Sequence, residues 1–119
     1  MPRSLQLYLW DLRQAVYAIQ GFTSGKTFLD FENDALLQAG IERKFEIIGE
    51  VFVQMSVHYP ESADRFSDKK RFIGFRNILT HQYQNIDSTI VWGAVESSVP
   101  TLIAELLKMA SSMEIDFTD

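Results

Sequence analysis

Phe72-Ile73-Gly74-Phe75-Arg76-Asn77-Ile78-Leu79-Thr80-His81-Gln82-Tyr83 is the stretch on which the reading of this chain turns. Phe72, Phe75 and Leu79 recur at steps of three and four, the spacing of a helix face turned to a core. The same stretch carries a cation at Arg76, an amide at Asn77, an imidazole at His81 and a phenol at Tyr83, all within eight residues. Asp68 is a candidate cap for a helix running to near His81. Nowhere else does the chain concentrate so much chemistry.

Helical geometry constrains how these groups combine. Each residue advances about 100° around an ideal helix, so Arg76 and His81, five apart, point roughly 140° away from each other. Asn77 and His81 share a face, as do Arg76 and Tyr83. Either the helix unwinds around Thr80, or the groups converge only when a second protomer supplies its own set. Arginine is a permanent planar cation suited to phosphate oxygens, and histidine exchanges protons near neutral pH. Together they suit cleavage of RNA without a metal: the 2′-hydroxyl attacks its own phosphate, with a base, an acid and a cation assisting. One histidine cannot serve as both base and acid, and a two-fold axis beside the motif would bring two. Bland roles stand beside these. Arg76 could be the ion-pair partner of Glu50 or Glu46, His81 a helix C-terminal cap, Tyr83 a core ring, and His58 a structural residue.

Outward from this stretch the chain reads as all-α. Leu5, Leu9, Leu12, Val16 and Ile19 mark a first helix over 4–20, with Ser4 as cap and Gly21 as stop. Residues 21–34 read as a loop with one helical turn, pinned by Phe22, Phe28, Leu29 and Phe31. Its Gly25-Lys26-Thr27 is no phosphate-binding loop, because the upstream glycine is missing and no strand precedes it. Leu37, Ile41, Phe45, Ile48, Phe52 and Met55 mark a second helix over 33–57, capped by Asn33 or Asp34 and ended by Tyr59-Pro60. Gly40 and Gly49 inside it imply a closely packed neighbour. A polar connection over 60–68 precedes the third helix. The last helical region starts at Asp87 or Ser88 and carries Val91, Val95, Leu102, Leu106, Met109 and Met113, with a kink or split near Pro100.

The 119 residues predict one domain, 1–119, and the absence of cysteine removes disulfides and thiolate chemistry. With two histidines no transition-metal site is expected, nor any cofactor. No apolar run approaches the roughly 20 residues of a membrane span and no signal peptide is evident, so a cytoplasmic protein away from membranes is expected. The net charge of -5 argues against coating nucleic acid by charge alone, yet Arg65, Lys69, Lys70, Arg71 and Arg76 gather five of 11 positive charges in twelve residues.

The chain resembles the HepT-like (DUF86) branch of the HEPN superfamily over nearly its whole length. The resemblance rests on Gly74 to Tyr83, on Ile41-Glu42-Arg43-Lys44-Phe45-Glu46-Ile47-Ile48-Gly49-Glu50, on Asn85-Ile86-Asp87 followed by Val91-Trp92, and on Val99-Pro100 with Leu102. The chain departs from the pattern at Asn85, usually glycine, and Thr80, commonly valine. The resemblance implies a HEPN-type antiparallel four-helix bundle with a short additional helix, assembled as a homodimer with paired Arg-x4-His motifs in an interface cleft. It further implies a metal-independent endoribonuclease toxin of a type VII toxin–antitoxin pair, with Arg76 and His81 catalytic, Asn77 positioning, and Tyr83 receiving AMP from a cognate MntA-like nucleotidyltransferase antitoxin. Glu50 is expected to orient Arg76 or His81. The competing expectation is a binding module that only holds a nucleotidyltransferase or a nucleotide.

Overall fold

Capping starts the helices where short polar side chains precede apolar stripes. In the computed structural model, which describes residues 3–81 and 86–114, Ser4 Oγ accepts the Leu7 N–H and opens α1 (Leu5–Thr23). Thr27 and Asp30 close a reciprocal capping box on the short α2 (Phe28–Glu32), and Asp34 accepts the Leu37 N–H to open α3 (Ala35–His58). Pro60 occupies the first turn of the one-turn α4 (Pro60–Ala63), where its missing N–H costs nothing. Then follow α5 (Lys69–Leu79), α6 (Ser88–Glu96) and α7 (Ser98–Ser112). Among the described residues all regular structure is helical.

The bundle consists of α1, α3, α5 and the broken α6–α7 helix, with α2 and α4 as two short additions where one was expected. Helix α3 runs antiparallel to both α1 and α5. Along α3 and α5, Phe45 meets Phe75 while Phe52 meets Phe66 and Phe72; along α1 and α3, Tyr8 meets Tyr59 while Phe22 meets Gly40. The core between α3 and α5 is aromatic, with Phe45 and Phe75 stacked at 5.0 Å and Phe72 set edge-on to Phe45 at 5.6 Å. Leu9, Leu12, Val16 and Ile19 of α1 and Leu102, Leu106 and Met109 of α7 complete it.

Four expectations are corrected. Gly21 does not stop α1, which continues to Thr23, whose hydroxyl donates to the Ile19 carbonyl in the last turn. The polar connection over 60–68 contains α4 and buries Ala63 and Phe66. Of the loop aromatics only Phe31 is buried, its ring tilted against Trp92 at 5.3 Å, whereas Phe22 and Leu29 are exposed. Met113 lies exposed at the end of α7 rather than in the core.

The final helix splits at Ser97, which caps both halves. Its N–H and Oγ both donate to the Gly93 carbonyl, closing α6, and Pro100 then sits in the first turn of α7. Asp87 opens α6, and its hydrogen bonds from the Thr89 hydroxyl and backbone hold its carboxyl below the usual carboxylate range. Taken as one unit of 25 residues, Ser88–Ser112 contains an 18-residue window with a mean hydropathy of 1.4, enough to match a membrane span by length and composition. That departs from the expectation of no such stretch, and the physical reason lies in the bundle, where Val91, Trp92, Val95, Leu102, Leu106 and Met109 are buried.

Gly49 sets the distance between α3 and α5. A Cβ there would lie 2.4 Å from both Arg76 Cβ and the Phe72 carbonyl oxygen, far inside contact distance. Gly40, by contrast, faces the Phe22 ring at an ordinary 3.5 Å. Replacing Gly49 with alanine therefore forces the helices apart, and the strain exceeds the gain of about 1 kcal/mol in helix propensity. Urea unfolding of Gly49→Ala is expected to show a net loss of about 2 kcal/mol. Gly21→Ala, in a helix where nothing lies within 4 Å of the new methyl, is expected to hold or raise stability by up to about 1 kcal/mol.

Candidate active site

The close approach at Gly49 places Arg76 against α3. Arg76 Nε donates to Glu50 Oε2 at 2.8 Å, and Nη1 donates to Asn77 Oδ1 at 3.0 Å. Glu50 also accepts from Gln54 Nε2 at 3.2 Å, so a hydrogen-bonded chain runs Asn77, Arg76, Glu50, Gln54 across the two helices. Of the two candidate partners for Arg76 the structure selects Glu50; Glu46 is engaged by Arg43 at 2.8 Å, one turn earlier on α3. Fixing Asn77 Oδ1 on Arg76 leaves its amide N–H groups directed elsewhere.

Arg76, Glu50 and Gln54 border a groove of about 670 Å³ formed by α1, α3 and the C-terminal part of α5. Tyr8, Asp11, Glu46, Glu50, His58 and Arg76 are among its walls. Three arginines line it, and each meets a carboxylate: Arg3 with Asp11, Arg43 with Glu46, Arg76 with Glu50. The bond to Asp11 holds Arg3 still further toward its charged form, and its guanidinium lies 5.2 Å over the Tyr8 ring. Paired in this way, the arginines remain orienting hydrogen-bond donors but contribute little net charge.

The motif residues are brought together only in part. Thr80 lines the groove beside Arg76, and the chain turns once more so that the His81 N–H donates to the Ile78 carbonyl, a tight three-residue step. His81 and Asn77 are exposed, and neither is among the residues that line the groove. Tyr83 lies outside the described residues. Among the described residues no cluster of histidine, aspartate or glutamate is arranged to hold a metal ion.

His58, read from sequence as structural, is exposed and lines the same groove as Arg76. The signal was available: Glu50, Gln54 and His58 recur every four residues and so share one face of α3. It went unread because nothing in sequence shows that this face borders α5.

The pair at the centre is half exposed, with side-chain exposures of 32% for Arg76 and 46% for Glu50. Solvent at that level screens the attraction, so the pair orients more than it stabilises. A double-mutant cycle of Arg76→Ala and Glu50→Gln is expected to give a coupling in unfolding free energy below about 1 kcal/mol. A coupling several times larger would make the pair a structural clamp.

Comparison with known proteins adds to this geometry. Residues 12–109 match the family model described as ribonuclease HepT-like. A Thermococcus cleftensis protein named probable ribonuclease HepT is 30% identical over 112 residues, covering 92% of this chain and 98% of the relative. A Methanocaldococcus jannaschii protein whose name provisionally assigns it as an RNase is 28% identical, over 87% of this chain and 94% of its own length. A second protein of that organism, named as a gamma-glutamylcyclotransferase and, provisionally, an RNase, is 28% identical over 96% of this chain; the chain spans only 51% of that relative. No solved structure matches the chain.

Proposed function

Given that the chain belongs to the ribonuclease HepT-like family, we propose that it is a metal-independent endoribonuclease acting through Arg76 and His81, the toxin of a pair whose antitoxin is a nucleotidyltransferase. The observation that carries this reading is the placement of Arg76. It is held by Glu50 and Asn77 on a groove wall, one turn from an exposed His81, instead of being buried in an ion pair away from any cleft. The ribonuclease names of the relatives support the same chemistry.

In the proposed reaction His81 of one copy takes the proton from the ribose 2′-hydroxyl. The 2′-oxygen forms a bond to the adjacent phosphorus and the bond from phosphorus to the 5′-oxygen breaks. His81 of a second copy protonates that leaving oxygen, so each proton has a named carrier. Arg76 offers its remaining N–H groups to the phosphoryl oxygens as charge builds in the transition state. Glu50 keeps the guanidinium in place, and the free N–H groups of Asn77 bind the phosphate. The homodimer belongs to this reading because one chain carries a single histidine in the motif, and His81 is exposed, accessible to a second copy.

AMP addition to Tyr83 is the proposed means of neutralisation. A phosphate diester near Arg76 and His81 adds negative charge and bulk where the RNA phosphate must sit. Co-expression with the nucleotidyltransferase and ATP is expected to add the mass of AMP to the chain, and Tyr83→Phe to abolish the addition; retention of the mass would move the acceptor elsewhere.

The decisive assay is cleavage of RNA by the purified protein. Arg76→Ala and His81→Ala are each expected to lower the rate by at least about a hundredfold, the usual scale for a proton-transfer group or a transition-state donor. Undiminished cleavage in both variants would overturn the assignment. A protein that binds the nucleotidyltransferase and never cuts RNA would make the chain a binding module.

A further inference from the structure

The basic run ahead of the motif sorts, in the structure, into engaged and unengaged cations. Lys69 pairs with Asp64. Arg71 donates to Ser98 Oγ at 2.9 Å and lies 5.7 Å over the Phe75 ring, tying α5 to the α6–α7 junction. Arg76 is held by Glu50 and Asn77. Among the described residues the side chains of Arg65 and Lys70 make no hydrogen bond or ion pair, and both residues are exposed. Arg65 sits beside Glu105 and Lys108 in a small cleft toward α7, away from the motif.

Lys70 is placed differently. It precedes Asn77 by seven residues, about 20° short of two full helical turns, so the two lie on one line along α5 roughly 10 Å apart. Between them on that line stands Gly74, where an added Cβ would meet nothing within 4 Å. The line therefore presents an unpaired ammonium, an unobstructed glycine, an exposed amide whose oxygen is committed to Arg76, and beyond it His81.

We propose that this line is a track for the RNA backbone, with Lys70 binding a phosphate neighbouring the reacting one on the same strand. The inference rests on the ribonuclease reading and adds to it a positioning residue that touches substrate without taking part in bond making. An ammonium suits this role: it attracts any phosphate as a point charge and imposes no base preference. A chain of net charge -5 whose groove arginines are all paired needs such an unpaired cation to draw a polyanion to this end of α5.

Two readouts test it: binding of a fluorescent single-stranded RNA oligonucleotide across a salt series, and steady-state cleavage. For Lys70→Ala the RNA affinity is expected to fall severalfold at low salt, equally for oligonucleotides of different sequence. The plot of log affinity against log salt is expected to become shallower by about 0.7, one phosphate contact on a single strand. KM should rise with kcat nearly unchanged, and Lys70→Arg should restore both. Lys26→Ala, which removes the same charge from the exposed turn before α2, should match the wild type. Equal salt slopes and KM for Lys70→Ala and wild type would overturn the proposal while leaving the ribonuclease reading standing. Altered RNA binding in Lys70→Ala without any cleavage by the wild type would sustain the RNA contact and remove the nuclease. A wild type that neither binds nor cuts RNA would overturn both.

Discussion

The contact between α3 and α5 at Gly49 is the constraint from which the site follows. With only hydrogen at that position, the Phe72 carbonyl and the Arg76 stem come closer to α3 than any side chain would permit. The approach is held by aromatic packing on both sides, Phe45 against Phe75 toward one end and Phe52 against Phe72 toward the other. Because the two helices are fixed at that separation, Glu50, the next residue after Gly49, lies within hydrogen-bond reach of Arg76. A guanidinium has little rotational freedom to lose once its fork is held, so a packing event in the core is converted into a directed donor on the surface.

Electrostatics then operates locally rather than globally. The chain is acidic overall, and the groove beside Arg76 balances its arginines with carboxylates almost one for one. Such pairing is worth little in stability where solvent reaches it, but it determines which donors stay free and in which direction they face. Net charge alone argues against a nucleic-acid partner, whereas the sorting of individual cations into paired and unpaired leaves the Lys70 ammonium without a carboxylate among the described residues.

The broken carboxy-terminal helix plays a supporting part. Pro100 cannot donate a backbone hydrogen bond, so the helix is re-started at Ser97 and Ser98, and the hydroxyl of buried Ser98 receives Arg71. The same residues that interrupt the helix thereby anchor the start of α5. The groove residue His58 enters in a similar way, through the face that α3 turns to the groove it forms with α1 and α5.

The helices and their inward faces are legible in the sequence, because the three-and-four spacing of Leu9, Leu12, Val16, Phe45, Phe52, Phe72 and Leu102 is a property of each segment alone. It also determined the caps at Ser4, Asp34 and Asp87 and the break ahead of Pro100, which depend on residues a few positions apart. It singled out Arg76, Asn77 and His81 as the densest gathering of chemical groups, and Gly49 as a place of close packing. Helix packing, in contrast, is what gives Arg76 to Glu50 rather than Glu46, brings His58 into its groove, and leaves Lys70 alone unpaired among the cations on α5. These depend on the separation and rotation of one helix against another, which whole-core packing fixes and no local spacing records.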